Sequence, residues 1–109
     1  MKDSPHRLRL HCNSAIPERY RDSMRNLLAF DLGASNGRAI LGRFDGTRVT
    51  LHELHRFENN YIEMNGVFYW DLPYLYQQLK LGFLAFRQAN MGELDCFGID
   101  AWGVDYGLL

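Results

Sequence analysis

The chain has 109 residues, 47% of them hydrophobic and 14% aromatic, which is enough for a core and unlike a disordered chain. Its length gives room for one small domain or part of a larger one. The net charge of −1 supplies no basic field for nucleic acid or an anionic membrane, and no apolar run is long enough to cross a bilayer.

Residues 1–25 carry Pro5, Pro17 and many charges without an apolar period, and read as a flexible N-terminal extension with Met24 as an alternative start. No hydrophobic centre marks a secretory signal there, and the basic cluster His6–Arg9 reads as a solvated tail. Cys12 and Cys96 are the only cysteines, which suits a reduced, cytoplasmic protein, with Cys96 expected as a small core residue.

The organised part is residues 26–109. Leu27–Leu32 predicts a strand buried on both faces, and Arg38–Phe44 a second. Asp45-Gly46 is a hairpin turn leading into a long third strand, Thr47–Phe57, so the three form an antiparallel meander. His52 and His55 are expected on one side of that strand, with no third metal ligand at a useful spacing. Glu58–Gly66 reads as a polar loop and Val67–Trp70 as a short extended piece. Asp71 is a helix N-cap with Pro73 in the first turn, and Leu72, Leu75, Leu79, Phe83 and Phe86 mark one helical face to about Asn90. Gly92 is expected as the left-handed cap. Leu94–Ala101 predicts a strand reached by a helical crossover and therefore parallel to another strand of the sheet. Trp102–Asp105 bends the chain, and Tyr106–Leu109 starts a further strand.

The order β-β-β-α-β gives an α/β class, the start of a ribonuclease H-like sheet of the kind repeated in sugar kinases, actin and Hsp70. A sheet cut in mid-strand exposes an unpaired apolar edge, so the domain reads as incomplete.

The chemistry centres on Asp31, at the carboxyl end of the first strand, and on the turn Gly33-Ala34-Ser35-Asn36-Gly37 followed by Arg38. A buried carboxylate, a turn of exposed amides and a guanidinium suit a phosphate–magnesium group. The competing reading is a plain hairpin, because Asn36-Gly37 is also a favoured type I′ turn. No Lys-Ser/Thr follows Gly37 and no GxGxxG precedes a helix, which excludes both common nucleotide loops. If the first strand and the strand after the helix are neighbours, Asp31 and the Asp100–Asp105 segment face one crevice.

Four blocks then carry a resemblance: Asp31–Arg38, His55-Arg56-Phe57 with Asn59, Trp70-Asp71, and Gly98–Tyr106. In order and spacing they resemble the opening of the rhamnulokinase branch of the FGGY carbohydrate kinases, over residues 26–109. Many ATPases share the first block. Trp102-Gly103-Val104-Asp105 is the narrower match, with fuculokinase close to it.

The resemblance implies ATP-dependent phosphorylation of L-rhamnulose at its 1-hydroxyl, with Mg²⁺, in rhamnose breakdown in the cytoplasm. Ala34, Ser35, Asn36, Gly37 and Arg38 would hold the ATP phosphates. Asn36 stands where serine is often found. Gly103 would meet the sugar through its backbone, Trp102 and Asp105 are further candidate sugar contacts, and Asp31 would act through Mg²⁺ and its waters. The aspartate expected as catalytic base lies downstream of residue 109, so this chain alone is expected to turn over no substrate. The expected partners are the sugar and ATP, not nucleic acid or a membrane, and nothing in the sequence specifies an oligomer.

Three rival readings remain at this point. L-Fuculose is the alternative substrate within the family. An actin- or Hsp70-like ATP switch shares the first block. A two-metal nuclease would use Asp31 and Asp100 but would want an acid on the crossover helix, and Leu72–Met91 has none.

Overall fold

A computed structural model describes residues 7–9 and 23–103 of the chain. Strand β1 (Arg7–Arg9), β2 (Arg25–Leu32), β3 (Asn36–Phe44), β4 (Arg48–Glu58) and β7 (Cys96–Asp100) form one five-stranded mixed sheet in the order β1-β4-β3-β2-β7. A separate hairpin, β5 (Tyr61–Met64) and β6 (Val67–Trp70), precedes helix α1 (Leu72–Ala89). The expected meander and crossover are present: β2–β3 and β3–β4 are antiparallel, and β7 lies parallel to β2.

The first strand is not buried on both faces. Leu28, Phe30 and Leu32 are buried, whereas Leu27, Ala29 and Asp31 alternate to a more open side, because α1 covers only one face of the sheet. Cys96 corrects a second expectation. It is exposed, since β7 is an edge strand with no neighbour beyond it among the described residues. Arg7–Arg9 are a further difference: they pair with Arg48–Thr50 and give β4 an edge partner, a role that needs no apolar period. Cys12, Asp105 and the strand expected from Tyr106 lie outside the described residues.

Each connection has a local cause. Between β3 and β4, Asp45 Oδ1 accepts the N–H groups of Thr47 (2.8 Å) and Arg48 (2.7 Å), and Gly46 adopts φ 91°. The Arg48 and Thr47 N–H groups hold the Asp45 carboxyl below its ordinary value. His52 and His55 are three apart, a spacing that puts residues on opposite sides of a regular strand. They share a side here because the register shifts between Ala39 and Ile40, leaving Leu54 unpaired and returning His55 to the face of His52.

The segment Glu58–Gly66 is not simply a loop. Asn65 (φ 53°) and Gly66 (φ 77°) form the left-handed pair of a hairpin that sets Tyr61 opposite Trp70 and Met64 opposite Val67. The type I′ signature therefore operates at Asn65-Gly66. At Asn36-Gly37 neither residue has positive φ.

Helix α1 begins as expected, with the Asp71 carboxylate accepting Tyr74 N–H at 2.9 Å and Pro73 in the first turn. Its left-handed cap is Asn90 (φ 51°), whose N–H reaches the Arg87 carbonyl, rather than Gly92. The buried stripe is Leu75, Gln78, Gly82 and Phe86, flanked by Leu79 and Phe83, while Leu72 at the first position is exposed. Gln78 is tolerated because the His55 ring N–H donates to its Oε1 at 2.7 Å. Gly82 lets the sheet approach closely: a Cβ there would overlap the Phe30 ring and lie 2.9 Å from Ala39 Cβ. No helix among the described residues is long and apolar enough to cross a membrane.

The return from α1 to β7 is clamped to the start of β2. Asn26 Nδ2 donates to the carbonyls of Met91 (3.0 Å) and Glu93 (2.8 Å), and Asp95 accepts Arg25 Nη1 (2.5 Å) and Asn26 N–H (2.8 Å). The Arg25 guanidinium first, then the Asn26 N–H, hold the Asp95 carboxyl below its ordinary 3.8. A depressed folded value contributes stability that is complete above the unfolded value and is lost as pH falls through the folded one. The melting-temperature difference between the full-length protein and its Asp95→Asn variant is therefore expected to be largest near neutrality and to narrow below about pH 4. A difference independent of pH would remove the ionised Asp95 from the account.

Candidate functional site

The parallel register between β2 and β7 fixes where the chemistry-bearing residues meet. Asp31 lies directly opposite Asp100 at the carboxyl ends of the two strands, and parallel partners project to the same face. The Gly33–Asn36 turn leaves β2 at that edge, and Trp102-Gly103 follows β7 at the same edge. Open α/β sheets bind ligands outside the carboxyl ends of their strands.

Asp31 is less buried than the sequence suggests: its carboxylate side chain is 42% exposed. It forms an ion pair with Arg38 Nη2, its direct cross-strand partner on β3. The pairing follows from register, since Leu32 opposite Gly37 sets Asp31 opposite Arg38. Both groups stay wet enough to exchange partners with a ligand, because a half-exposed pair is worth little in itself.

The two glycines of the turn are there for space, not for unusual dihedrals. A Cβ on Gly33 would stand 2.8 Å from the Asn36 carbonyl oxygen, and one on Gly37 would overlap the Phe57 ring. The Gly33 N–H closes the turn on the Asn36 carbonyl at 2.9 Å. Ala34 and Ser35 at the tip are exposed. The Asn36 side chain is steered by Arg56 Nη1 (3.4 Å) and by Ser35 Oγ (3.3 Å). Arg56 is itself held by both Glu53 oxygens, at 2.8 and 2.6 Å, and this contact lowers the Glu53 carboxyl and raises the guanidinium.

Trp102 stacks on Trp70, with ring centroids 4.2 Å apart and planes 8° from parallel. Both pack against the cluster of Leu32, Phe57 and Leu75, so one face of the Trp102 indole is taken by protein. Gly103 differs from the glycines of the turn: among the described residues, a Cβ there meets nothing within 4 Å. Trp70 and the buried Asn59 are the site-edge residues that sequence reasoning undervalues. Both appear in the sequence only as members of matching blocks. The available signal was position, since Asn59 lies just before the hairpin and Trp70 is its last residue.

The described residues thus define an α/β unit in which a donor-bearing turn, an acid–guanidinium pair and an open bend share one sheet edge. No protein-family model matches the chain. In sequence it is similar to curated rhamnulokinases. The curated rhamnulokinase of Halalkalibacterium halodurans is 44% identical over 86 residues, which is 79% of this chain and 18% of its own length. That of Bacteroides thetaiotaomicron is 45% identical over 87 residues, 78% of this chain and 17% of its own. That of Mannheimia succiniciproducens is 42% identical over 87 residues, 77% and 18%. The chain therefore spans less than a fifth of the length of the curated relatives it matches.

Proposed function

We propose that the full-length protein is an ATP-dependent carbohydrate kinase that phosphorylates L-rhamnulose at its 1-hydroxyl, acting in the cytoplasm in rhamnose breakdown. The observation that carries the reading is identity of 42–45% to three rhamnulokinases over 77–79% of this chain. The ribonuclease H-like assignment belongs to the same proposal and is supported by the mixed sheet with its parallel β2–β7 pair.

In this reading Ala34, Ser35, Asn36, Gly37 and Arg38 hold the ATP phosphates. Amides at the tip donate to phosphate oxygens, and Arg38 divides its guanidinium between Asp31 and the ligand. Gly103 lies against the sugar through its backbone, with Trp102 and Asp105 as neighbours. Asp31 and Asp100 fit Mg²⁺, which takes one or two carboxylates, several waters and phosphate oxygens, and here both acids project to one face at the strand ends. When bound, the metal would neutralise charge on the transferring phosphoryl group. The share of this chain in the reaction is to bind and orient, holding phosphate and sugar at one edge.

The test is turnover by the full-length protein with MgATP and either L-rhamnulose or L-fuculose. Coupled ADP release with kcat/KM higher for L-rhamnulose is expected. Thermal stabilisation by ATP without any effect of a ketose would instead support the nucleotide-switch reading.

A further inference from the structure

We propose that Asn59 is a positioning residue that makes the Gly33–Asn36 turn a donor surface, an inference that rests on the phosphate-binding reading of that turn. Asn59 follows β4 directly and is 2% exposed, an unusual place for a side-chain amide. Its backbone N–H donates to the Ser35 carbonyl at 3.0 Å, and its Nδ2 donates to the Gly33 carbonyl at 2.7 Å. The Asn36 carbonyl is already taken by the Gly33 N–H. Three of the four carbonyls in Gly33–Asn36 are therefore spent on protein donors. The N–H groups of Ala34 and Ser35, by contrast, donate to no acceptor among the described residues. A turn whose acceptors are satisfied internally and whose donors are not is polarised toward an anion.

The Asn59 side chain also carries a cost that packing alone does not explain. Its Oδ1 is buried with no hydrogen-bond partner, so the residue forfeits the solvation of one polar atom to deliver the other. What that arrangement secures is the Gly33 carbonyl, which faces Asn59 rather than the ligand edge. Without the Nδ2 donor this carbonyl must find water, and the peptide between Gly33 and Ala34 is free to turn its oxygen outward. A phosphate would then meet a lone pair where it had met an N–H.

Asn59→Asp keeps the shape and removes the donor, and Asn59→Ala removes both polar atoms. In the full-length protein each is expected to raise KM for MgATP on the order of tenfold, the scale of one lost hydrogen bond, and to leave KM for L-rhamnulose unchanged. A purely structural role would lower the active fraction and move neither KM, and that result overturns the proposal. Equal rises in both KM values overturn it as well. A measurement on the unaltered protein guards against variants that do not fold: MgATP should slow amide hydrogen exchange at Ala34 and Ser35. Unslowed exchange there in a protein that turns over ATP overturns both the tip amides as phosphate donors and the Asn59 assignment, and leaves the kinase reading standing. A protein that neither binds MgATP nor phosphorylates a ketose overturns the phosphate reading itself.

Discussion

Replacing Phe30 by alanine in the full-length protein is expected to cost about 3–5 kcal/mol of stability, the range for deleting a fully buried aromatic ring. Phe30 is 1% exposed, belongs to the cluster of Leu28, Ala39, Leu41 and Phe86, and sets its ring 5.0 Å from that of Phe83. The site is poorly able to collapse around the cavity. Against the ring is Gly82, whose missing side chain is what lets α1 sit so near the sheet, so the helix offers no side chain at that position to fill the vacated space. Filling the notch from the helix side is no remedy in the unaltered protein, because a methyl on Gly82 overlaps the same ring. Phe30 also immediately precedes Asp31, so the loss falls on the part of β2 that aims the carboxylate. Chemical denaturation of the two proteins checks the value. A change within about 0.5 kcal/mol, as for an exposed position, would mean that α1 is not seated on this face.

What could be read from the sequence were features with local causes. The β2–β4 meander follows from short apolar runs and Asp45-Gly46, and the start of α1 from Asp71 and Pro73. Features decided by neighbours far along the chain were not legible. Two Asn-Gly pairs compete for one hairpin signature, and the pair that uses left-handed dihedrals is Asn65-Gly66, flanked by strands that read as a polar loop and a stub. Asn90 and Gly92 both adopt positive φ, and only the position of the last helical turn decides that Asn90 is the cap. Cys96 looks like core by composition and is exposed because β7 lies at an edge, a property of strand order. Leu72 fits the helical stripe yet stands outside it, and Gln78 and Gly82 fit the same period but go unnoticed by a search for apolar side chains.

The site was legible in part. Asp31, the turn and Gly103 were expected at one edge, and the parallel β2–β7 register puts Asp31 opposite Asp100 there. The Asp31–Arg38 pair was not foreseen, because it depends on cross-strand register rather than on sequence spacing. Nor was the burial of Asn59, which depends on β4 ending beside the turn.

Gly103→Val is the sharpest separation of site from scaffold. In the full-length protein kcat/KM for L-rhamnulose is expected to fall on the order of 100-fold, with KM for MgATP and the melting temperature little changed. The reasoning turns on what surrounds the position. Among the described residues a Cβ at Gly103 meets no atom within 4 Å, and Gly103 is not among the glycines with positive φ, so neither crowding there nor backbone strain opposes a side chain. Gly37 is the contrast: there the same substitution would collide with Phe57, and lost activity would report on folding. The open volume at Gly103 lies three residues beyond Asp100, at the edge shared with the turn, where the proposed site places the sugar. An isopropyl group in that volume displaces a small polar ligand and leaves the Ala34–Arg38 stretch untouched. Parallel losses for sugar and nucleotide would mean the two subsites are not where this edge puts them. An unchanged kcat/KM would mean that the space beside Gly103 opens to solvent and takes no part in binding.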